Sequence, residues 1–258
     1  MRVLKIIAAS LFLFVLATVS TAVAGDRLAV VMEKKILRVG TPGDYRPFAM
    51  LADGKYEGFD VDMIDLMAKE LGVSVEFVPT TWRNLMPDFQ AGKYDVAIGG
   101  ITRSVARVSQ CDFLPGYAPF GKVALVRAAD KAKFTSLDSL NQPDVRVIKN
   151  PGGTNEKFVL EFLTKANIST HEKNAEIPAL IAEGKGDVMI TETYEALLYA
   201  KKDPRLHAAF IDKPLTKANT LGFMIQNNDP DFVRIMNFLW ETMELRGELE
   251  ACTAKWLK

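Results

Sequence analysis

One order of elements occurs twice along this chain, and the duplication constrains the fold more tightly than any single residue does. Leu37 to Gly40 reads as a short strand, and residues 60–71 carry apolar side chains at helical spacing up to a stop at Gly72. Val73, Val75 and Phe77 then alternate with Ser74 and Glu76 as a half-buried strand that Pro79 ends. A helix over 85–91 stops at Gly92, and Val96-Ala97-Ile98 follows as a buried strand. After residue 140 the order returns: strand 145–148, helix 155–166, a short strand near Ile168, helix 177–182 and strand 188–190. Gly92-Lys93-Tyr94-Asp95-Val96-Ala97-Ile98 and Gly184-Lys185-Gly186-Asp187-Val188-Met189-Ile190 share the pattern Gly-Lys-x-Asp-Val-x-Ile. A repeated β-α-β-α-β order implies parallel sheets with helices packed on them, and so two similar α/β lobes. The amphipathic stretch from Phe232 to Trp256, with Ile235, Phe238, Leu239, Leu245 and Leu249, reads as packing helix.

Composition narrows the function classes. Lys+Arg 32 against Asp+Glu 32, with 48% hydrophobic residues, describes neither a disordered polyelectrolyte nor a nucleic-acid binder with clustered cations. Two Cys and two His are too few for a disulfide framework or an all-His/Cys metal cage. Arg2 and Lys5, the apolar run Ile6 to Val19 and the small residues Ala22-Val23-Ala24 read as a secretory signal over residues 1–24. That run is shorter than the ~20 residues a membrane span needs. Without the signal the chain carries a formal charge of −2, since those residues hold two basic and no acidic side chains. The expected location is the periplasm, an oxidising compartment in which Cys111 and Cys252 pair only if their positions allow it.

Ligands of such sheets bind at the carboxyl ends of the strands, where loops lead into helix N-termini with free N–H groups. Two loops fit. Gly99-Gly100-Ile101-Thr102, with Arg107 beyond it, follows one strand; Asn150-Pro151-Gly152-Gly153-Thr154-Asn155 follows another. Glycines admit a ligand to the backbone, Thr hydroxyls add donors, and Arg grips a carboxylate with two parallel bonds. One such loop in each lobe points to an anion shared between lobes.

The runs Leu37-Arg38-Val39-Gly40, Asp44-Tyr45-Arg46-Pro47-Phe48 and Gly58-Phe59-Asp60-Val61-Asp62 resemble the opening of bacterial extracellular solute-binding proteins of the polar amino-acid type. Asp95 to Thr102, Arg107 and Asp112-Phe113 extend the resemblance across the carboxylate-binding segment. It implies a periplasmic binding protein-like α/β fold: two lobes joined by a two-strand hinge, with the site in the interlobe cleft. Carried over, the hinge falls near 117–122 and 212–216, with residues 25–118 plus 216–258 in one lobe and 119–215 in the other. Segments 80–89 and 150–158 are more specifically similar to an exported lyase branch of that family, which converts prephenate to phenylpyruvate and arogenate to phenylalanine. On that resemblance Asp44, Trp82 and Asn150 contact substrate, and Glu195 is the catalytic acid. Glu192 stands where the branch has Asp, and where a transport protein binds an α-ammonium group. Arg103 is an additional cation, directed either to the ligand or to solvent.

The chemistry suits these residue types. Hydroxide is a poor leaving group, so losing it from prephenate needs a proton donor, which for Glu195 means a pKa above the ordinary ~4.3. Arg107, Thr102 and Thr154, with the backbone at Gly100 and Gly153, would hold the carboxylate that stays. Trp82 would pack on the ring, and Asn150 is a neutral donor for the carboxylate that departs. His171 and His207 receive no role. No His-Glu-x-x-His pair, phosphate-loop Lys or Gly-x-Ser-x-Gly elbow occurs, so the expected site has no metal and no cofactor. The ligand is expected to be a small carboxylate. The other class left open is a non-catalytic binding protein that hands an amino acid or related carboxylate to an ABC permease. Glu195 and the run Asn-Pro-Gly-Gly-Thr-Asn-Glu-Lys-Phe discriminate, because capture alone needs no second acid beside Glu192.

Overall fold

The computed structural model describes residues 26–258. The expected signal segment lies outside them. Among the described residues no helix is long and apolar enough to cross a membrane.

Two five-stranded sheets share one plan. In the first, Ser74–Pro79, Ile36–Thr41 and Val96–Ala97 run parallel, and Met224–Ile225 and Asp112–Phe113 complete the sheet in that spatial order. In the second, Asn167–Thr170, Arg146–Lys149 and Val188–Glu192 run parallel, followed by Lys122–Arg127 and Leu206–Ala209. The sheets are therefore mixed, where the element order implied parallel ones. In each, the fourth strand is antiparallel to the third because it enters from the other lobe. Ala118–Phe120 pairs antiparallel with Asn219–Leu221 as the two crossover strands, leading into Lys122–Arg127 and Met224–Ile225 respectively. The return crossover thus lies beyond the expected 212–216, a stretch that instead docks on the second lobe through Leu215 N–H to Lys122 O at 2.8 Å.

The repeated heptapeptide is one device used twice. Asp95 accepts from the Arg38 backbone N–H at 3.0 Å and from its guanidinium at 3.2 and 2.7 Å. Asp187 accepts from the Arg146 backbone N–H at 2.9 Å and from its guanidinium at 3.0 and 2.7 Å. Each Asp takes a second arginine, Arg27 in one lobe and Arg127 in the other. A carboxylate just ahead of the third strand thereby locks the register of the first. Both clamps sit at the amino ends of the strands, leaving the carboxyl ends for the cleft.

The helices Phe59–Leu71 and Pro230–Leu245 cover the first sheet, with Phe59, Met63, Ile64, Phe232 and Trp240 fully or almost fully buried. The C-terminal amphipathic stretch divides at Gly247 into Pro230–Leu245 and Glu248–Trp256. Phe232 and Leu239 pack into the core, but Phe238 and Leu245 face outward. Cys111 and Cys252 are buried, free thiols.

Burial alone would raise the Asp187 carboxyl, but hydrogen bonds from Arg146 and Arg127 outweigh it and hold the group well below the ordinary carboxylate range. A depressed carboxylate contributes stability above its unfolded pKa of ~3.9 and loses it as pH falls through the folded value. Because the two arginines are partly exposed, Asp187→Asn should lower unfolding stability at pH 7 by about 2 kcal/mol. Denaturant titrations should show that deficit narrowing as pH falls below about 4.

Candidate active site in the interlobe cleft

The carboxyl ends of both sheets face a cleft that the lobes nearly close, leaving about 20 Å³, room for little more than one water molecule. Of the expected site residues, Trp82, Gly100, Thr102, Arg107, Asn150, Gly153, Thr154 and Glu192 line it. Tyr45, Gly152, Asn155 and Asn174 line it as well. Asp44 and Glu195 stand one layer back.

The two glycine-bearing loops are held by carboxylates of their own lobes. Asp60, fully buried, accepts from Gly99 N–H at 2.7 Å, Gly100 N–H at 2.9 Å and the Tyr117 hydroxyl at 2.5 Å. Burial pushes its carboxyl up to about 6, against the pull of those three donors. Gly100, at φ +69°, lies against the Tyr45 ring, where a Cβ would come within 2.4 Å of ring carbons. In the other lobe Glu156 accepts from Gly152 N–H at 2.7 Å and from Lys149 Nζ at 2.5 Å. Arg107 reaches inward to donate to Thr102 O at 2.8 Å, and burial lowers its pKa from the ordinary arginine value. Arg103 does neither of the things expected of it: half-buried, it packs over the Phe113 ring at 6.0 Å and against Gly222.

The lobes touch across the cleft. The Thr102 and Thr154 hydroxyls are 3.3 Å apart, and the Tyr45 hydroxyl donates to Glu192. Asn174 Nδ2 approaches Asp44 O at 3.5 Å, and the Phe48 and Tyr194 rings meet edge to face at 5.8 Å. The Trp82 indole stands edge-on to Tyr45 at 5.8 Å and donates to Asp44 Oδ1 at 2.8 Å, so Asp44 orients Trp82 rather than lining the pocket. Gly152 presses on the opposite lobe: a Cβ there would lie 2.5 Å from Arg83 N and 2.8 Å from Trp82 C.

Two acids at the start of the Thr193–Lys202 helix have different fates. Glu192, 4% exposed, takes an ion pair from Lys122 on one oxygen and the Tyr45 hydroxyl on the other. Glu195, with no exposed surface, bonds the Asn174 amide at 2.8 Å and the Thr191 hydroxyl. Burial, reinforced by the charges of Glu192 and Asp44, raises its carboxyl well above the ordinary value despite those two bonds. The pocket therefore backs onto a buried carboxyl of raised pKa, faces Arg107 and offers an aromatic wall at Trp82.

Residues 37–258 match the model of bacterial extracellular solute-binding proteins, family 3. The chain belongs to that family. It is 37% identical over 247 residues to the cyclohexadienyl dehydratase of Pseudomonas aeruginosa, covering 95% of this chain and 91% of the relative. Among solved structures, an ancestral amino acid-binding protein described as a precursor of cyclohexadienyl dehydratase is 38% identical, with a TM-score of 0.82 over 90% of this chain and 99% of the other. An ancestral cyclohexadienyl dehydratase is 50% identical, with a TM-score of 0.54 over 90% and 96%. The fold is accordingly the two-lobed, periplasmic binding protein-like one.

Lys122, Tyr45, Asn174 and Asp60 were not assigned site roles from sequence. Lys122 left a signal, being the charged residue that opens the otherwise apolar Val123-Ala124-Leu125-Val126 run. Asn174 left none, since it comes from a polar loop whose path only the folded chain defines.

The Gly152 contact makes a ligand-independent prediction for this family member. Gly152→Ala should hold the lobes apart, so small-angle X-ray scattering should give a larger radius of gyration than for the wild type. An unchanged radius would mean that Gly152 does not gate closure.

Proposed function

We propose that this protein is an exported, periplasmic cyclohexadienyl dehydratase, a carbon-oxygen lyase that converts prephenate to phenylpyruvate, arogenate to phenylalanine, or both. The observation that carries the reading is the wholly buried Glu195, its carboxyl pKa raised by burial, behind a cleft that faces an arginine and an indole. A protein that only captures an amino acid has no use for such an acid there. The similarity to cyclohexadienyl dehydratases over nearly the whole chain supports the same reading.

In the proposed reaction Arg107, with Thr102 and Thr154, holds the side-chain carboxylate that stays, and Trp82 packs on the ring. Glu195 gives its proton to the ring hydroxyl, whose C–O bond breaks and releases water. The electron pair of the breaking C–C bond to the ring carboxylate moves into the ring, which becomes aromatic as carbon dioxide leaves. Glu195 is left as a carboxylate and recovers its proton from solvent. Asn150 contacts the departing carboxylate as a neutral donor, because a cation there would stabilise the ground state more than the transition state. The Thr191 hydroxyl donates to one oxygen of Glu195 and the Asn174 amide to the other, so both fix the orientation of the carboxyl group.

The test is turnover of prephenate and arogenate by the mature protein. Glu195→Gln should lower kcat by about 10²-fold or more while substrate still binds. Because the active form is the protonated one, kcat should fall as pH rises through the raised pKa of Glu195, and Glu195→Gln should lose that limb of the profile. Wild-type protein that turns over neither substrate, yet binds an amino acid tightly, would instead be the binding component of an ABC transporter. Arg107→Ala should raise KM strongly with a smaller change in kcat.

A further inference from the structure

Lys122 is buried at the first position of its strand, and its ammonium group is used completely. Its Nζ donates to Thr154 Oγ1 at 2.8 Å, to Asn155 Oδ1 and to Glu192 Oε1, which accounts for all three N–H bonds. The two side chains of the ion pair are 7% and 5% exposed. The other oxygen of Glu192 receives the Tyr45 hydroxyl from the opposite lobe. Glu192 is the acidic side chain lining the pocket with Arg107 and Asn150, whereas Asp44 and Glu172 line the adjoining opening beyond Trp82. Asp44 accepts from the Trp82 indole, and Glu195 is wholly buried behind Asn174 and Thr191, with burial raising its carboxyl pKa.

A ligand bearing an α-ammonium group needs a buried anion opposite it, or it loses hydration without compensation. The anion available is Glu192, and the chain has already neutralised it. An incoming ammonium would bring a further positive charge into a cleft whose neighbours already include Arg107 and Lys122, and like charges so placed repel one another. A keto group at the same carbon carries no charge and meets no such penalty. We propose that Lys122 makes the cleft selective for 2-keto acids over the corresponding 2-ammonium acids, by supplying from within the chain the cation that an amino-acid ligand would otherwise bring. Resting on the dehydratase reading, this makes prephenate the preferred substrate over arogenate, which differs from it in having an amino group in place of the keto group.

Lys122 acts through Glu192 as a specificity-determining residue, so its test is a selectivity ratio rather than an activity. Wild type, Lys122→Met, Lys122→Gln and the charge-balanced Lys122→Met/Glu192→Gln pair are compared. The wild-type ratio of kcat/KM for prephenate to that for arogenate should be about tenfold or more, and should fall several-fold in Lys122→Met. Binding is read separately, by calorimetry with the twenty L-amino acids and with phenylpyruvate. Lys122→Met should gain about tenfold or more in affinity for at least one amino acid, with no matching gain for phenylpyruvate. The double variant should lose that gain, because the anion has gone. If Lys122→Met melts too low to assay, Lys122→Gln gives the same comparison with a polar side chain at the site. A folded variant with no amino-acid gain overturns the proposal, as does a wild type that prefers arogenate. If wild type turns over neither substrate while Lys122→Met still gains amino-acid affinity, the dehydratase reading falls and the charge selection by Lys122 stands.

Discussion

Two carboxyl groups three residues apart, both removed from water, share one nearby cation, and the arrangement of this cleft follows from that constraint. Desolvation penalises each charge, and each raises the cost of the other. The chain resolves the conflict asymmetrically. Glu192 is given the ion pair with Lys122, while Glu195 is given only the neutral partners Asn174 and Thr191 and has its carboxyl pKa raised by burial. A binding cleft needs the first of these arrangements at most. An acid held neutral against an anionic ligand is what elimination chemistry requires, so the same electrostatics that constrains the packing also bears on function.

Closure of the lobes is part of that resolution. Tyr45 reaches Glu192 from the other lobe, and Asn174 approaches Asp44 across the cleft, so the surroundings of both acids are assembled from both halves of the chain. Gly152 and Gly100 permit this contact. One admits the backbone of Trp82 and Arg83, the other the ring of Tyr45, at distances that leave no room for a Cβ. The loops that carry these glycines are held by Glu156 and Asp60, so the surfaces that meet are preorganised before they meet. At the far ends of the sheets the Asp95 and Asp187 clamps fix strand register, keeping the work of folding away from the carboxyl ends where ligand binds.

Much of this was legible in the amino-acid order because it depends on local periodicity. The alternation of Val73, Val75 and Phe77, the helical spacing over 60–71 and the heptapeptide echo are short-range patterns, and the strands and helices they imply are present. The loops Gly99–Thr102 and Asn150–Asn155 were recognisable because strand-to-helix turns have their own composition. Glu195 was a different case. Its residue type on a helix implied a solvated side chain, and only resemblance to the dehydratase branch singled it out.

What the sequence by itself determined was therefore the repeated α/β plan, the two glycine-bearing loops that line the cleft and the residue types found there. Tertiary structure decided the antiparallel fourth strands, the turning of Arg103 onto Phe113, the withdrawal of Asp44 behind Trp82 and the pairing of Lys122 with Glu192. The division has a physical reason. Helix, strand and turn propensities act over a few residues, whereas the environments of Glu195 and Glu192 depend on distant groups, Tyr45 standing 147 positions from Glu192, that come together only when the lobes pack.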